Sequence, residues 1–124
     1  MIPKHHINFS KQEQAIIKKA LFGWTDRSKN YTAYFENSFA QYVGVKHAIS
    51  VLSGRQALFI ILKTLGLNPN DEVIIPAYSF WAVAEIVKSL QLIPVFTQID
   101  PHTYNIDCES VKRNITARTR AIIV

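Results

Sequence analysis

One cysteine, Cys108, occurs among 124 residues, so no disulfide can close within the chain, which fits a reducing compartment. Long apolar runs are also missing. The longest, Ala57 to Leu62, falls far short of the ~20 residues that cross a bilayer. The opening Met1-Ile2-Pro3-Lys4-His5-His6 has no apolar signal core. The expectation is a cytoplasmic protein with no membrane partner. Basic clusters are absent as well. Lysine and arginine number 14 against 9 acids, a net charge of +5, which raises the question of an anionic partner. Yet Lys18-Lys19, Arg27, Lys29, Lys63, Lys88, Lys112-Arg113, Arg118 and Arg120 are scattered, as on a solvated surface rather than a nucleic-acid stripe. His5, His6, His47 and His102 are not spaced to put two imidazoles and a carboxylate on one helix face, so no metal site is expected. Cys108 without a partnered histidine reads as inert. No repeat or low-complexity segment is visible.

What is present is a 48% hydrophobic composition, enough to bury a core in one domain. Ser10-Lys11-Gln12-Glu13 is a capping box, predicting a helix from about Ser10 to Phe22, with Ala15, Ile16, Ala20 and Leu21 on one face and Gly23 ending it. Phe35, Phe39, Tyr42 and Val43 predict a second helix closing at Gly44. Residues 1–45 therefore form a helical segment, and residues 46–124 alternate strand with helix. The predicted strands are Lys46–Leu52, Glu72–Ile75, Ile93–Ile99 and Arg120–Val124. The predicted helices are Gly54–Leu65, Phe80–Leu90 capped by Ser79, and a short one from Asp107 through Ile115. Such alternation gives a parallel sheet with helical crossovers, an α/β fold.

Ser53-Gly54-Arg55-Gln56 stands where a strand turns into a helix, so the Gly54, Arg55 and Gln56 amides are among those left without intrahelical partners. A phosphate would satisfy them, with Gly54 permitting close approach and Arg55 adding charge. Equally, Ser53 and Gln56 can form a plain capping box with Arg55 on the surface. Phe80, opening the next helix, can lie flat against a planar heteroaromatic ring or pack in the core. Trp81, on another side of that helix, is expected to pack inside; for Trp24, Tyr31 and Tyr34 packing is expected, with contact to a sugar or a partner subunit as the alternative.

Phe35-Glu36, Phe39-Ala40-Gln41-Tyr42-Val43-Gly44-Val45-Lys46-His47-Ala48, Ser53-Gly54, Asp71-Glu72-Val73-Ile74-Ile75-Pro76, Pro94-Val95-Phe96, Ile99-Asp100-Pro101 and Asn105-Ile106-Asp107 together resemble the N-terminal third of the DegT/DnrJ/StrS sugar aminotransferases. The specificity lies in several motifs agreeing in order from about Phe35 to the last residue. The resemblance implies part of the large domain of a fold type I enzyme dependent on pyridoxal 5′-phosphate. It further implies a nucleotide-sugar substrate, an amino donor such as glutamate or glutamine, and a homodimer with active sites at the subunit boundary. Carried over, the phosphate corner falls on Ser53, Gly54 and Arg55, with the next amide at Gln56, and the ring-stacking aromatic on Phe80. Arg55 departs from the family's usual threonine.

Catalysis by this coenzyme needs a Schiff-base lysine and an acid beside the pyridine nitrogen. In the family both lie beyond the stretch that this sequence matches. Lys46, Lys63 and Lys88 read as strand-edge or helix-surface residues, and no catalytic residue is assigned. The resemblance thus implies a truncated aminotransferase, inactive alone, with part of its coenzyme cup. The alternative is a non-catalytic remnant or interaction module that associates with a full-length relative. The first sheet strand of that fold pairs beside a later one, so Lys46–Leu52 is expected to have an open edge, unfavourable for solubility.

Overall fold

The computed structural model describes residues 9–23 and 28–124. His5, His6, Trp24 and Arg27, discussed above, lie outside the described residues. The chain divides into two compact units, one up to Ser50 and one from Val51 to Val124.

In the first unit the Ser10 capping box forms as the sequence predicts. Ser10 Oγ accepts from the Glu13 amide at 3.2 Å, and Glu13 Oε2 accepts from the Ser10 amide at 2.7 Å. Two amides that the helix cannot satisfy are thereby bonded, and helix α1, Lys11–Leu21, follows. Helix α2, Tyr31–Val43, starts with Asn30 Oδ1 accepting from the Ala33 amide at 3.0 Å. It closes at Gly44, whose φ of +77° is the left-handed conformation that glycine adopts without strain. There the Val45 amide returns to the Ala40 carbonyl at 2.9 Å, sealing the last turn.

The strand predicted over Lys46–Leu52 does not form. Residues 46–52 carry no strand assignment and join no ladder. Apolar β-branched residues there state only a local preference, and a strand exists only when a neighbour supplies the other half of its hydrogen bonds. Ser50 is instead tied to α2: Glu36 Oε1 accepts from its amide at 2.7 Å and its hydroxyl at 2.8 Å. The Ser50 amide, followed by the hydroxyl, holds the Glu36 carboxyl below its ordinary range.

The second unit runs in the order α3 (Gly54–Thr64), β1 (Glu72–Pro76), α4 (Ala82–Ser89), β2 (Ile93–Thr97), α5 (Cys108–Asn114) and β3 (Thr119–Ile122). The three strands form one parallel sheet in the order β2-β1-β3. Each strand-to-strand connection passes through a helix, as parallel neighbours require, and the fold is α/β as expected. Central β1 buries Val73, Ile74 and Ile75 almost completely, the continuous apolar run of a strand covered on both faces. Val73 and Ile75, two residues apart and so on one face, join Leu62 of α3, Val87 of α4 and Leu92 in the core.

Several boundaries differ from the prediction, among them the last strand, which runs Thr119–Ile122 rather than Arg120–Val124. β2 stops at Thr97, and Ile99 makes only an isolated antiparallel bridge to Ile106, because the chain doubles back between them. Helix α4 begins at Ala82 with Trp81 in the N-cap position and no side-chain cap, so Ser79 does not cap it. Asp107 does cap α5, accepting from the Glu109 and Ser110 amides at 2.7 and 3.1 Å.

Candidate functional site

The corner opening α3 is held by its own side chains. Ser53 Oγ accepts from the Gln56 amide at 3.2 Å, which leaves the Gln56 amide already bonded. Gln56 Oε1 reaches past Ser53 to the Leu52 amide at 3.0 Å, so the reciprocal half of a capping box is displaced by one residue. The helix offers no partner to the amides of Gly54 and Arg55. A Cβ built on Gly54 would meet nothing within 4 Å, so the space above that backbone is open.

Ser53, Gly54, Arg55 and Leu58 from the α3 side, with Phe80, Val83 and Ile86 from the α4 side, line one hollow of about 320 Å³. The structure thus brings Ser53, Gly54, Arg55 and Phe80 around a common space, while Gln56 does not line it. Electrostatically the site is one-signed: Arg55 is its charged side chain, and the lining contains neither a lysine nor a carboxylate. The floor is aliphatic. Phe80 is 58% exposed, so its ring is available rather than consumed in the core.

A second hollow of about 360 Å³, lined among others by Pro76, Ala77, Trp81 and Phe96, shares Phe80 and Val83 with the first. Phe80 therefore stands as the wall between two spaces at the end of β1. Trp81, expected inside, is 66% exposed. The buried positions of α4 are Ala82 and Val87, and Trp81 precedes the first of them. The Tyr78 ring meets Tyr104 with centroids 5.8 Å apart. Nothing in local spacing announces that pair, whose members lie on different loops. Among the described residues no His, Cys, Asp and Glu cluster is arranged to hold a metal ion, and no helix is long and apolar enough to cross a membrane.

Residues 8–124 match the DegT/DnrJ/EryC1/StrS aminotransferase family. The chain is 39% identical over 121 residues to the UDP-2-acetamido-2-deoxy-3-oxo-D-glucuronate aminotransferase of Pseudomonas aeruginosa, covering 91% of this chain and 34% of that protein. It is 31% identical over 124 residues to the GDP-perosamine synthase of Vibrio cholerae, covering 99% and 34% respectively. The solved structure of E. coli GDP-4-keto-6-deoxy-D-mannose-3-dehydratase with bound hydrated pyridoxal phosphate is similar with a TM-score of 0.83 at 30% identity. That likeness covers 97% of this chain and 32% of the other. The chain spans about a third of the length of these relatives.

Proposed function

Given that this chain belongs to the DegT/DnrJ/EryC1/StrS aminotransferase family, we propose that the hollow between the α3 and α4 corners receives the family's coenzyme, pyridoxal phosphate. The observation that carries this reading is the shared space itself: Gly54 and Arg55, whose amides have no partner within the helix, and the exposed Phe80 line one cavity. The residues suit the group. Two amides and a guanidinium match a phosphate, open space above Gly54 admits it, and Phe80 offers a face to a planar ring.

When bound, the coenzyme supplies an electron sink for moving an amino group onto a keto sugar. The chain's own residues bind and orient. The Gly54 and Arg55 amides hold the phosphate, the Arg55 guanidinium offsets its charge, and Phe80 sets the plane of the ring. Leu58, Val83 and Ile86 add apolar lining. No side chain around the hollow can relay a proton as a lysine or carboxylate would. This chain alone is therefore a coenzyme-binding part of a nucleotide-sugar aminotransferase and does not transaminate. The nucleotide sugar, the amino donor and a homodimeric partner belong to the complete enzyme.

The test is equilibrium dialysis of the chain with pyridoxal phosphate. Binding that is competed by inorganic phosphate and weakened by Phe80→Ala is expected, and borohydride should leave no coenzyme mass on the chain. No binding would end the reading. A second reading, association with a full-length relative, draws on the exposed apolar side chains Ile16, Leu21, Phe35 and Tyr42 of α1 and α2. It predicts co-elution with such a relative.

A further inference from the structure

Between Pro76, the last residue of β1, and Ala82, the first of α4, the chain turns the corner that carries Phe80. The corner is bonded at its two ends. The Ala77 amide donates to the Thr97 carbonyl at 2.8 Å, and the Val83 amide donates to the Phe80 carbonyl at 2.9 Å. Among the described residues, Tyr78 and Ser79 make no hydrogen bond in between. What reaches Tyr78 from elsewhere is Tyr104, with centroids 5.8 Å apart and planes inclined at 45°, within the tilted range that aromatic rings favour.

Tyr104 itself has an unfavourable backbone conformation. Its φ is +59°, a left-handed value that a bulky residue rarely adopts. The loop before it leaves little choice. The Asp100 amide donates to the Asn105 carbonyl and the Tyr104 amide to the Asp100 carbonyl, each at 2.8 Å. Asp100 Oδ1 accepts from the His102 and Thr103 amides at 2.7 and 3.0 Å. Glycine or asparagine would fit that conformation with less strain, and tyrosine there adds a ring. Core formation does not account for the pair, since Tyr78 and Tyr104 are 71% and 64% exposed. Strain of this kind persists where surrounding bonds over-determine it, and it gathers at ligand sites.

We propose that Tyr104 is a positioning residue: its ring braces Tyr78, and through Tyr78 it fixes the corner so that Phe80 already faces the hollow when a planar ligand arrives. The proposal rests on the coenzyme reading above. Bracing lowers the ordering entropy lost on binding, which is how a preset ring raises affinity.

The test compares the full chain with its Tyr104→Phe, Tyr104→Ala and Tyr104→Gly variants. Two quantities are read: hydrogen exchange at the Ala77 and Val83 amides, and the Kd for pyridoxal phosphate by dialysis. Tyr104→Gly removes the ring while relieving the backbone, so it separates bracing from simple loss of fold. Loss of one ring pair should speed exchange and weaken binding by up to about tenfold in the Ala and Gly variants. Tyr104→Phe should match the parent. Unchanged exchange and Kd in all variants, with the parent still binding, would overturn the positioning role and leave the coenzyme reading intact. A Gly variant that matches the parent while Ala does not would also overturn it, because backbone conformation rather than the ring would then be the cause. A parent chain that does not bind the coenzyme would overturn both.

Discussion

Arg118 sets Nε and Nη2 at 2.9 and 2.7 Å from a single oxygen of Glu72, its Oε1, while Thr116 Oγ1 donates to the other oxygen at 2.6 Å. Glu72 is 3% exposed and opens the central strand, where an unpartnered carboxylate would be costly. Its amide also donates to the Arg118 carbonyl at 2.9 Å. Side chain and backbone together bring β3 alongside β1 at the end of the strand away from the Phe80 corner. Arg118 itself is largely exposed, so the pair anchors register more than it adds Coulomb energy.

Acid should release that anchor. The Thr116 hydroxyl first, then the Arg118 guanidinium, lowers the Glu72 pKa. A depressed folded value means that the contribution is complete above the unfolded value of about 4.3 and is lost as pH falls through the folded one. Tm should therefore drop more steeply below about pH 4.3 in the parent than in Glu72→Gln. Parallel pH profiles would remove Glu72 from the account.

Gly54→Ala should separate fold from site. The added methyl meets no atom within 4 Å and the position has no positive φ, so thermal stability should hold or rise slightly. The same methyl occupies the approach to the amides, so the Kd for pyridoxal phosphate should rise by about tenfold or more. Equal affinity in the two chains would place the phosphate elsewhere.

Arg55→Thr restores the residue usual in the family that this chain resembles. Exchanging a guanidinium for a hydroxyl removes a charge-assisted bond, and the side chain stands in solvent, so screening limits the loss. A few-fold weaker Kd is expected at low salt, with the difference shrinking as salt is added. Equal affinity at every ionic strength would show that Arg55 does not touch the phosphate.

Ile75→Ala removes buried methyl groups from central β1, where Ile75 is 1% exposed, and should cost about 3 kcal/mol in denaturant unfolding. Asp107→Ala releases the two amides that it caps and should cost about 1 kcal/mol. A reversed order of these losses would mean that α5, not the β1 core, limits stability.

Much of the fold is legible in the order of residues because its punctuation is local. Ser10 and Glu13, Asn30, Ser53 and Asp107 act on amides within three residues of themselves, and Gly44 closes its own helix. Apolar runs likewise mark β1 and β2 to within two residues. Of the site, Ser53, Gly54 and Arg55 are readable as the start of a helix, without the strand expected before it, and Phe80 as part of a strand-to-helix corner. Their meeting around one hollow is not readable, because it depends on how α3 and α4 pack.

Only the tertiary structure decided matters in which both halves of an interaction must arrive from distant positions. Lys46 through Leu52 has the composition of a strand, yet without a ladder partner it forms none. Ser79 has the chemistry of a cap, but α4 starts two residues too late to use it. Glu72 finds Arg118, and Tyr78 finds Tyr104, across 46 residues in the first case and between separate loops in the second. Bonds reaching a few residues are set by neighbours in the chain. Ladders, buried carboxylates and ring pairs form only after hydrophobic burial has chosen which elements lie side by side.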